Sequence, residues 1–295
     1  MKKINIGAGN LWKSKGWETL DNAPVDYNYN WQHFGKLWDT KLKSESYDIV
    51  FSSHTLEHIP QFRVEKSIFE INRILKIGGK LRILVPDLES SVKAYIKKDK
   101  DFFKFSKHYD DSLGIGGNFI RQIVSAGGQT IAINREFEEI LGSYAHLFCY
   151  DFEMMKTLLR KWGFNNIKKC SPGKSSIPEM HEFQHFVING KKYDMGHPLV
   201  MKKKYLDDDS VYFQSGFDKK WNSQLVIEAV KSKNINFFKT KKIAFLEQSR
   251  YNSPLDNIKI RLFFLISNSI DSLYKLSKIL KINVVIKKIL FFIKK

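Results

Sequence analysis

The chain contains little cysteine and comparatively little acid. Only two cysteines occur among its 295 residues, Cys149 and Cys170, and they form neither a C-x-x-C pair nor a zinc-binding spacing. We therefore expect reduced thiols and no disulfide framework. The 31 Asp and Glu residues face 49 Lys and Arg residues, so the net charge is +18. That charge favours anionic partners such as nucleic acid or an acidic membrane surface, although a general lysine bias explains it equally well.

Long apolar runs are also missing. No uninterrupted hydrophobic stretch approaches the roughly 18 residues that a membrane span requires. The first residues, MKKINIGAGN, lead at once into glycine-rich sequence, without the apolar region of a signal peptide. We therefore expect a cytoplasmic protein. With 43% hydrophobic and 14% aromatic residues, the chain can still bury one substantial core.

Strand-like and helical patterns alternate along the first part of the chain. The strand-like segments are KINI (3–6), WETLD (17–21), YDIVFSS (47–53) and KLRILVP (80–86). Between the last two, VEKSIFEINRIL has apolar residues at helical spacing, and Gly78 and Gly79 are expected to end that helix. This alternation predicts a doubly wound α/β sheet of parallel strands with right-handed crossovers.

In such a sheet the ligand binds beyond the carboxyl ends of the strands. Gly7 and Gly9 directly follow the first strand, where glycine permits a tight turn and close approach of the backbone to a ligand. Asp21 ends the next strand, where its carboxylate can accept hydrogen bonds from the hydroxyls of a ribose. The third apolar strand ends at the same edge with Ser52, Ser53 and then His54.

Several motifs together suggest a family. INIGAGN, GWETLD, YDIVFSSHTLEHI and INRILKIGGKLRILVPDL, in that order, resemble the class I S-adenosylmethionine-dependent methyltransferases, specifically a small branch with an S-H-x-L-E-H motif. The resemblance continues through AHLFCYDFEMMKTLLRKWGFNNIKKC, which is similar to the family's penultimate helix and strand. It ends at SQLVIEAVK, which is similar to the final antiparallel strand. It implies a Rossmann-like methyltransferase domain over residues 1–233.

The resemblance implies a set of cofactor-binding residues at the ends of the first three strands. They are Gly7, Ala8, Gly9, Asn10, Asp21, Asn30, Ser52 and Ser53. Asp21 would bind the ribose, Asn30 would lie near the adenine, and the serines would line the wall beside the sulfonium. Two departures from the family pattern are a missing third glycine and Asn5, which stands where many relatives have an acidic residue.

Methyl transfer from a sulfonium is an in-line displacement, and holding the reactants in line supplies most of the catalysis. A general base is needed when the acceptor is a hydroxyl that must lose its proton. The candidate bases are His54, Asp87 and His146. For each of them, a capping or positioning role is the alternative.

Two segments match zinc-binding patterns. His54, Glu57 and His58 form H-x-x-E-H, with the two histidines four residues apart on the helix expected after the third apolar strand. HEFQH at 181–185 forms H-E-x-x-H. No third ligand stands in a matching context downstream of the first segment. The second segment lies in a polar connection and lacks the long apolar helix that such motifs occupy. We therefore expect no metal at either segment.

Two further regions complete the chain. Residues 87–144 are helical in character and contain two glycine pairs, in LGIGGNF and SAGGQT, which are expected to act as hinges. We therefore expect a lid and acceptor-binding insertion. Residues 234–295 are expected to form a basic, amphipathic helical tail. Its apolar stripe predicts peripheral binding to an anionic membrane, or else packing on the domain or on a second copy in a homodimer.

Three classes of function are compatible with these patterns. The first is O-methylation of a small molecule or of a cell-surface glycan precursor. The second is methylation of nucleic acid, which positive charge would assist through phosphate contacts. Against it, the sequence has no N-P-P-Y-like motif, no RNA-binding module and no arginine cluster. The third is a non-catalytic binding protein that retains the fold.

Overall fold

A computed structural model describes most of the chain before residue 238. The described residues are 1–9, 11–22, 32–104, 109–124, 146–194, 212–220 and 223–237. The predictions for Asn10, Asn30, the SAGGQT glycine pair and nearly all of the tail concern residues outside these ranges.

A seven-stranded sheet forms the centre of the fold. Its strands, in spatial order, are β3 (His33–Phe34), β2 (Trp17–Asp21), β1 (Lys3–Ile6), β4 (Tyr47–Ser53), β5 (Leu75–Pro86), β10 (Gln224–Lys231) and β6 (Phe164–Cys170). The first five run parallel, whereas β10 is antiparallel to both of its neighbours. The prediction of a doubly wound α/β sheet is confirmed, and SQLVIEAVK supplies the antiparallel strand.

The core lies between this sheet and its helices. In β4 the apolar run YDIVFSS is buried on both faces, as is typical of a central parallel strand. Helix α1 (Gln61–Ile74) buries Ile68, Ile71 and Ile74 against the sheet, which are residues of its predicted apolar face. Helix α5 (Phe152–Lys161), just before β6, packs against the same cluster.

The predicted end of helix α1 at Gly78 and Gly79 is wrong. The helix ends at Ile74, and its cap residue Leu75 is already extended, with φ −70° and ψ 143°. Leu75 is fully buried and pairs with Tyr47 of β4. Burial and strand pairing therefore end the helix before the glycines, which lie within an irregular stretch of β5.

The segment after β4 is also not the helix expected to carry both His54 and His58. Only a short 3-10 turn forms, over Leu56–His58, and α1 begins after Pro60. A residue that precedes proline disfavours helical backbone, and Ile59 is extended, with φ −86° and ψ 130°. His54 stands outside the turn with a positive φ of 52°.

The described part of the 87–144 insertion is helical, as expected. It contains α2 (Leu88–Ile96), α3 (Lys100–Lys104) and α4 (Gly114–Ile123). The glycine pair of LGIGGNF lies inside α4 instead of forming a hinge between helices.

A second, three-stranded sheet was not anticipated from the sequence. Its strands are β8 (Lys191–Asp194), β7 (His185–Ile188) and β9 (Tyr212–Ser215), all antiparallel. Among the residues that the structure describes, no helix is long and apolar enough to cross a bilayer.

Candidate methyl-donor site

The loop after β1 packs closely against the segment that follows β4. Gly7 has φ +75°, and its N–H donates to the carbonyl of Leu20 at 2.8 Å. A Cβ atom at Gly7 would lie 2.0 Å from Oγ1 of Thr55. Only glycine therefore fits at this position. The close contact between Gly7 and Thr55 brings the ends of β1 and β4 together around one cavity.

Asp21 ends β2 beside the same loop. Its Oδ2 accepts a hydrogen bond from the Gly9 N–H at 2.7 Å, and its Oδ1 accepts one from the Asn22 N–H at 2.7 Å. Burial raises the pKa of Asp21, although these two N–H groups and the nearby His58 act in the opposite direction. A carboxylate has about four acceptor positions, so further hydrogen bonds from a ligand can be accommodated.

A cavity of about 180 Å³ lies between these segments. Of the residues predicted from the sequence, Gly7, Gly9, Asp21 and His54 line it. Other residues lining it were not predicted; they are Ile6, Leu20, Asn22, Gly35, Leu37, Trp38, Thr55, His58 and Ile59. Ala8, Ser52 and Ser53 do not line the cavity.

These groups fit the chemistry of S-adenosylmethionine. Asp21 would supply acceptors for the two ribose hydroxyls, and Leu37 and Trp38 would supply apolar surface for the adenine ring. A Cβ atom at Gly9 would meet nothing within 4 Å, so the backbone there is open to close approach by the methionine part.

A family model described as a methyltransferase domain matches residues 21–83. The match begins at Asp21 and continues through the His54–His58 segment into β5. The chain carries the domain of an S-adenosylmethionine-dependent methyltransferase. S-adenosylmethionine is accordingly its cofactor. The narrower assignment to the S-H-x-L-E-H branch stays a prediction.

Solved methyltransferase structures are similar at low identity. One from Thermotoga maritima is 15% identical, with a TM-score of 0.36 over 78% of this chain and 81% of that chain. One from Methanosarcina mazei is 12% identical, with a TM-score of 0.37 over 78% and 91%. The CurJ carbon methyltransferase is 10% identical, with a TM-score of 0.36 over 78% and 48%. No curated protein matches the chain. At these values the similarities say nothing about the acceptor of this methyltransferase.

His54, which lines the methyl-donor cavity, forms a pair with Glu57. The Nδ1 atom of His54 lies 3.0 Å from Oε1 of Glu57. Burial lowers the pKa of His54, with the charge of Lys219 acting in the same direction. Burial alone would raise the pKa of Glu57, but the hydrogen bond from His54 and the nearby imidazoles lower it to about 2. Glu57 is therefore an ionised carboxylate in the interior.

His146 lies near this pair because the two residues that follow it bind the backbone of Glu57. The N–H groups of Leu147 and Phe148 donate to the carbonyl of Glu57 at 2.7 and 3.3 Å. As a result the rings of His146 and His58 lie 5.0 Å apart, centroid to centroid. Burial lowers the pKa of His146.

The predicted candidates His54 and His146 thus meet, together with Glu57 and His58. Sequence reasoning did not include Glu57 or His58 among the methyltransferase site residues. Both do stand in the H-x-x-E-H pattern, which was the signal that could have found them.

Asp87, the remaining candidate base, does not line the cavity. It is 2% exposed and caps α2, accepting hydrogen bonds from the N–H groups of Glu89 and Ser90. It also pairs with Lys169 at 3.1 Å. These contacts correspond to the capping alternative that the sequence left open.

The HEFQH segment lies elsewhere. His181 belongs to a 3-10 turn, Pro178–His181, and His185 begins β7. Among the described residues, no group of three metal-ligating side chains includes either histidine.

Proposed function

We propose that this methyltransferase acts on a hydroxyl oxygen of a small polar molecule or a glycan precursor. The observation that supports O-methylation is that His54, which lines the methyl-donor cavity, pairs with the buried carboxylate of Glu57. An amine acceptor needs no such arrangement when it arrives uncharged, whereas a hydroxyl must lose its proton as it attacks.

The hydrogen bond to Glu57 defines the role of each His54 ring nitrogen. Because the carboxylate accepts, Nδ1 carries the proton and Nε2 keeps the lone pair. Nε2 is thus the atom that takes the hydroxyl proton, while Glu57 stabilises the resulting imidazolium. A carboxylate that orients a histidine base is a recurring catalytic arrangement.

S-adenosylmethionine supplies a methyl group already activated on a sulfonium. The acceptor oxygen forms a bond to the methyl carbon as the carbon–sulfur bond breaks, with that electron pair passing to sulfur. The hydroxyl proton goes to His54. In this scheme Asp21 holds the ribose, the Gly7–Gly9 loop lies under the methionine part, and the cavity walls exclude water.

We further propose that residues 87–144 bind the acceptor within a domain spanning residues 1–233. The carbonyl of Gln122, in α4 of this insertion, accepts a hydrogen bond from Nδ1 of His146 at 2.8 Å. The insertion therefore touches the histidine cluster directly. An acceptor held by these helices would lie next to His54.

The test uses the full chain with methyl-labelled S-adenosylmethionine. Acceptors would be nucleotide-linked sugars and phenols, matched amines in which nitrogen replaces the hydroxyl, and RNA. We expect label in hydroxyl acceptors, with mass spectrometry placing the methyl on oxygen. His54→Gln should lower turnover by about 10²- to 10⁴-fold, the usual contribution of a general base.

A matched substitution, His181→Gln, changes the same residue type away from the cavity and should leave turnover unchanged. Transfer only to amines, carbon or RNA would contradict the proposal, and so would full turnover in His54→Gln.

A further inference from the structure

Three side chains that bind metals in other proteins meet beside the methyl-donor cavity. Glu57, His58 and His146 each contribute a ligand atom, and these atoms all lie within 4.8 Å of one another. Glu57 is fully buried, and the side chain of His58 is 19% exposed. His58 lines the cavity itself, so this group borders the space proposed for the methyl donor.

One oxygen of Glu57, Oε2, lacks a hydrogen-bond donor among the described residues, which suggests a bound ligand. Oε1 accepts from His54, whereas Oε2 is buried and accepts no hydrogen bond from any residue that the structure describes. Leaving a buried carboxylate oxygen unsatisfied is costly, so such an atom requires an explanation. The Nε2 atom of His58 lies 4.0 Å from the other oxygen, Oε1. A cation bound to this carboxylate would supply the missing partner.

His146 is oriented in the way that metal-binding histidines usually are. Its Nδ1 faces the carbonyl of Gln122 at 2.8 Å, which can only accept, so Nδ1 carries the proton. The lone pair of the neutral ring is then on Nε2. A hydrogen bond from the second ring nitrogen to a carbonyl is the common support of a metal-ligating histidine.

We propose that Glu57, His58 and His146 bind one divalent transition-metal ion, with zinc as the first candidate. Two imidazoles and one carboxylate with an open position are a typical donor set of catalytic zinc. Ligand atoms on one tetrahedral zinc are about 3.4 Å apart, given zinc–ligand distances of about 2.1 Å. The distances between the three ligand atoms must therefore shorten by about 1 Å when the ion binds.

This site also gives the H-x-x-E-H pattern a different meaning from a peptidase motif. His54, the first histidine of the pattern, is not one of the three converging ligands. It contacts the carboxylate of Glu57, which is one of them. The third ligand, His146, comes from the distant segment before α5. The sequence alone led us to expect no zinc because this third ligand was not recognisable.

The role of the ion rests on the proposed function. The acceptor hydroxyl would occupy the open coordination position, where a metal lowers the pKa of a bound oxygen acid. The hydroxyl proton would still pass to His54, and the oxygen would attack the methyl carbon as described above.

The test measures metal content, independently of methyl transfer. The full chain, purified without a metal-affinity tag and stripped with a chelator, is dialysed against zinc chloride and then against metal-free buffer. Elemental analysis should find about one zinc per chain. Cobalt(II) in place of zinc should give a visible absorption band that zinc displaces. Wild-type chain that retains neither metal stoichiometrically would overturn the proposal.

Two substitutions locate the ion. His58→Ala and His146→Ala should each lower retained zinc at least tenfold, whereas His181→Ala, in the other histidine motif, should retain it in full. Circular dichroism checks that the variants fold, and His146→Gln serves where the alanine variant does not. Zinc retained by the His58 and His146 variants, or lost in His181→Ala, would also overturn the site.

Metal binding and O-methylation can fail separately. Stoichiometric zinc with methyl transfer only to nitrogen or carbon would keep the site and remove the proposed reaction. O-methylation by chelator-treated chain that holds no zinc would keep the reaction and remove the metal.

Discussion

At the scale of single residues, Asp21 and Gly7 have distinct roles beside the methyl-donor cavity. Gly7 has no room for a side chain because Thr55 packs directly on it. Asp21 faces the cavity and uses one acceptor position of each oxygen to hold the neighbouring backbone. Gly7 therefore sets the shape of the loop, whereas the proposed role of Asp21 is to accept hydrogen bonds from the ribose of the cofactor.

We predict that Asp21→Ala weakens binding of S-adenosylmethionine about ten- to hundredfold. Hydrogen bonds to a charged group contribute about 1.5–3 kcal/mol, and the substitution also removes the support of Gly9. Isothermal titration calorimetry measures the change. Asp48→Ala is the control, because Asp48 lies near the amino end of β4 and pairs with Lys76. Equal affinities in wild type and Asp21→Ala would disprove the ribose role.

At the scale of secondary-structure elements, a buried network of salt bridges joins β5, β10 and the loop before β10. The Arg82 side chain is fully buried and binds Asp218 through two nitrogens and Glu228 through a third. Glu228 also accepts from the N–H of Ser176 at 3.0 Å. Each charge has partners, so this network aligns the antiparallel strand that completes the sheet, and removing one partner would leave another charge buried.

The stability of the fold should depend on pH through the ionisation of Glu228. Burial raises its pKa, but hydrogen bonds from Ser175 and Ser176 and the charge of Arg82 outweigh that effect, so the pKa lies below the ordinary 4.5. A carboxyl group with a lowered folded-state pKa stabilises the fold above its unfolded pKa, and loses this contribution as pH falls through the folded value.

We therefore predict that Glu228→Gln lowers the Tm at pH 7 and that the difference from wild type shrinks below about pH 4.5. Thermal unfolding followed by circular dichroism over a pH series measures both. Glu153→Gln, at an exposed position on α5, should show no such change with pH. A Glu228→Gln difference that stayed constant from pH 7 to acid would refute this account.

At the scale of the whole molecule, residues 255–295 carry nine basic and two acidic residues. Apolar residues recur there at helical spacing, as in Ile266, Ile270, Leu273, Leu276 and Leu280. This pattern predicts an amphipathic surface that binds anionic membranes through apolar area and headgroup attraction. A lipid-linked glycan precursor would then be within reach of the methyltransferase domain. The alternative is packing on the domain or on a second copy of the chain.

Co-sedimentation with anionic liposomes distinguishes these alternatives. The full chain should pellet with the vesicles at low salt and less at high salt, because salt screens the charge attraction. A chain truncated after Asn252 should stay in the supernatant. Equal recovery of both chains in the supernatant would eliminate membrane binding and leave the packing role.

Much of the fold followed from local sequence pattern. The bounds of β1, β2 and β4 agree with KINI, WETLD and YDIVFSS, because buried strands need short apolar runs and the residues that end them are local signals. The glycines after β1 and the carboxylate at the end of β2 were predicted at the cavity for the same reason. Parallel strands bring their carboxyl ends to one edge of a sheet.

The chemical centre depended on contacts between distant segments. Backbone hydrogen bonds from Leu147 and Phe148 to Glu57 place His146 beside His58, and Pro60 delays the helix that would have carried His54. Likewise, Leu37 and Trp38 join the cavity wall from the region after β3. Periodicity and turn signals act between neighbours in the chain, so they locate strands, helices and loops. Which loops meet is set by long-range packing and hydrogen bonding, which a single sequence does not display.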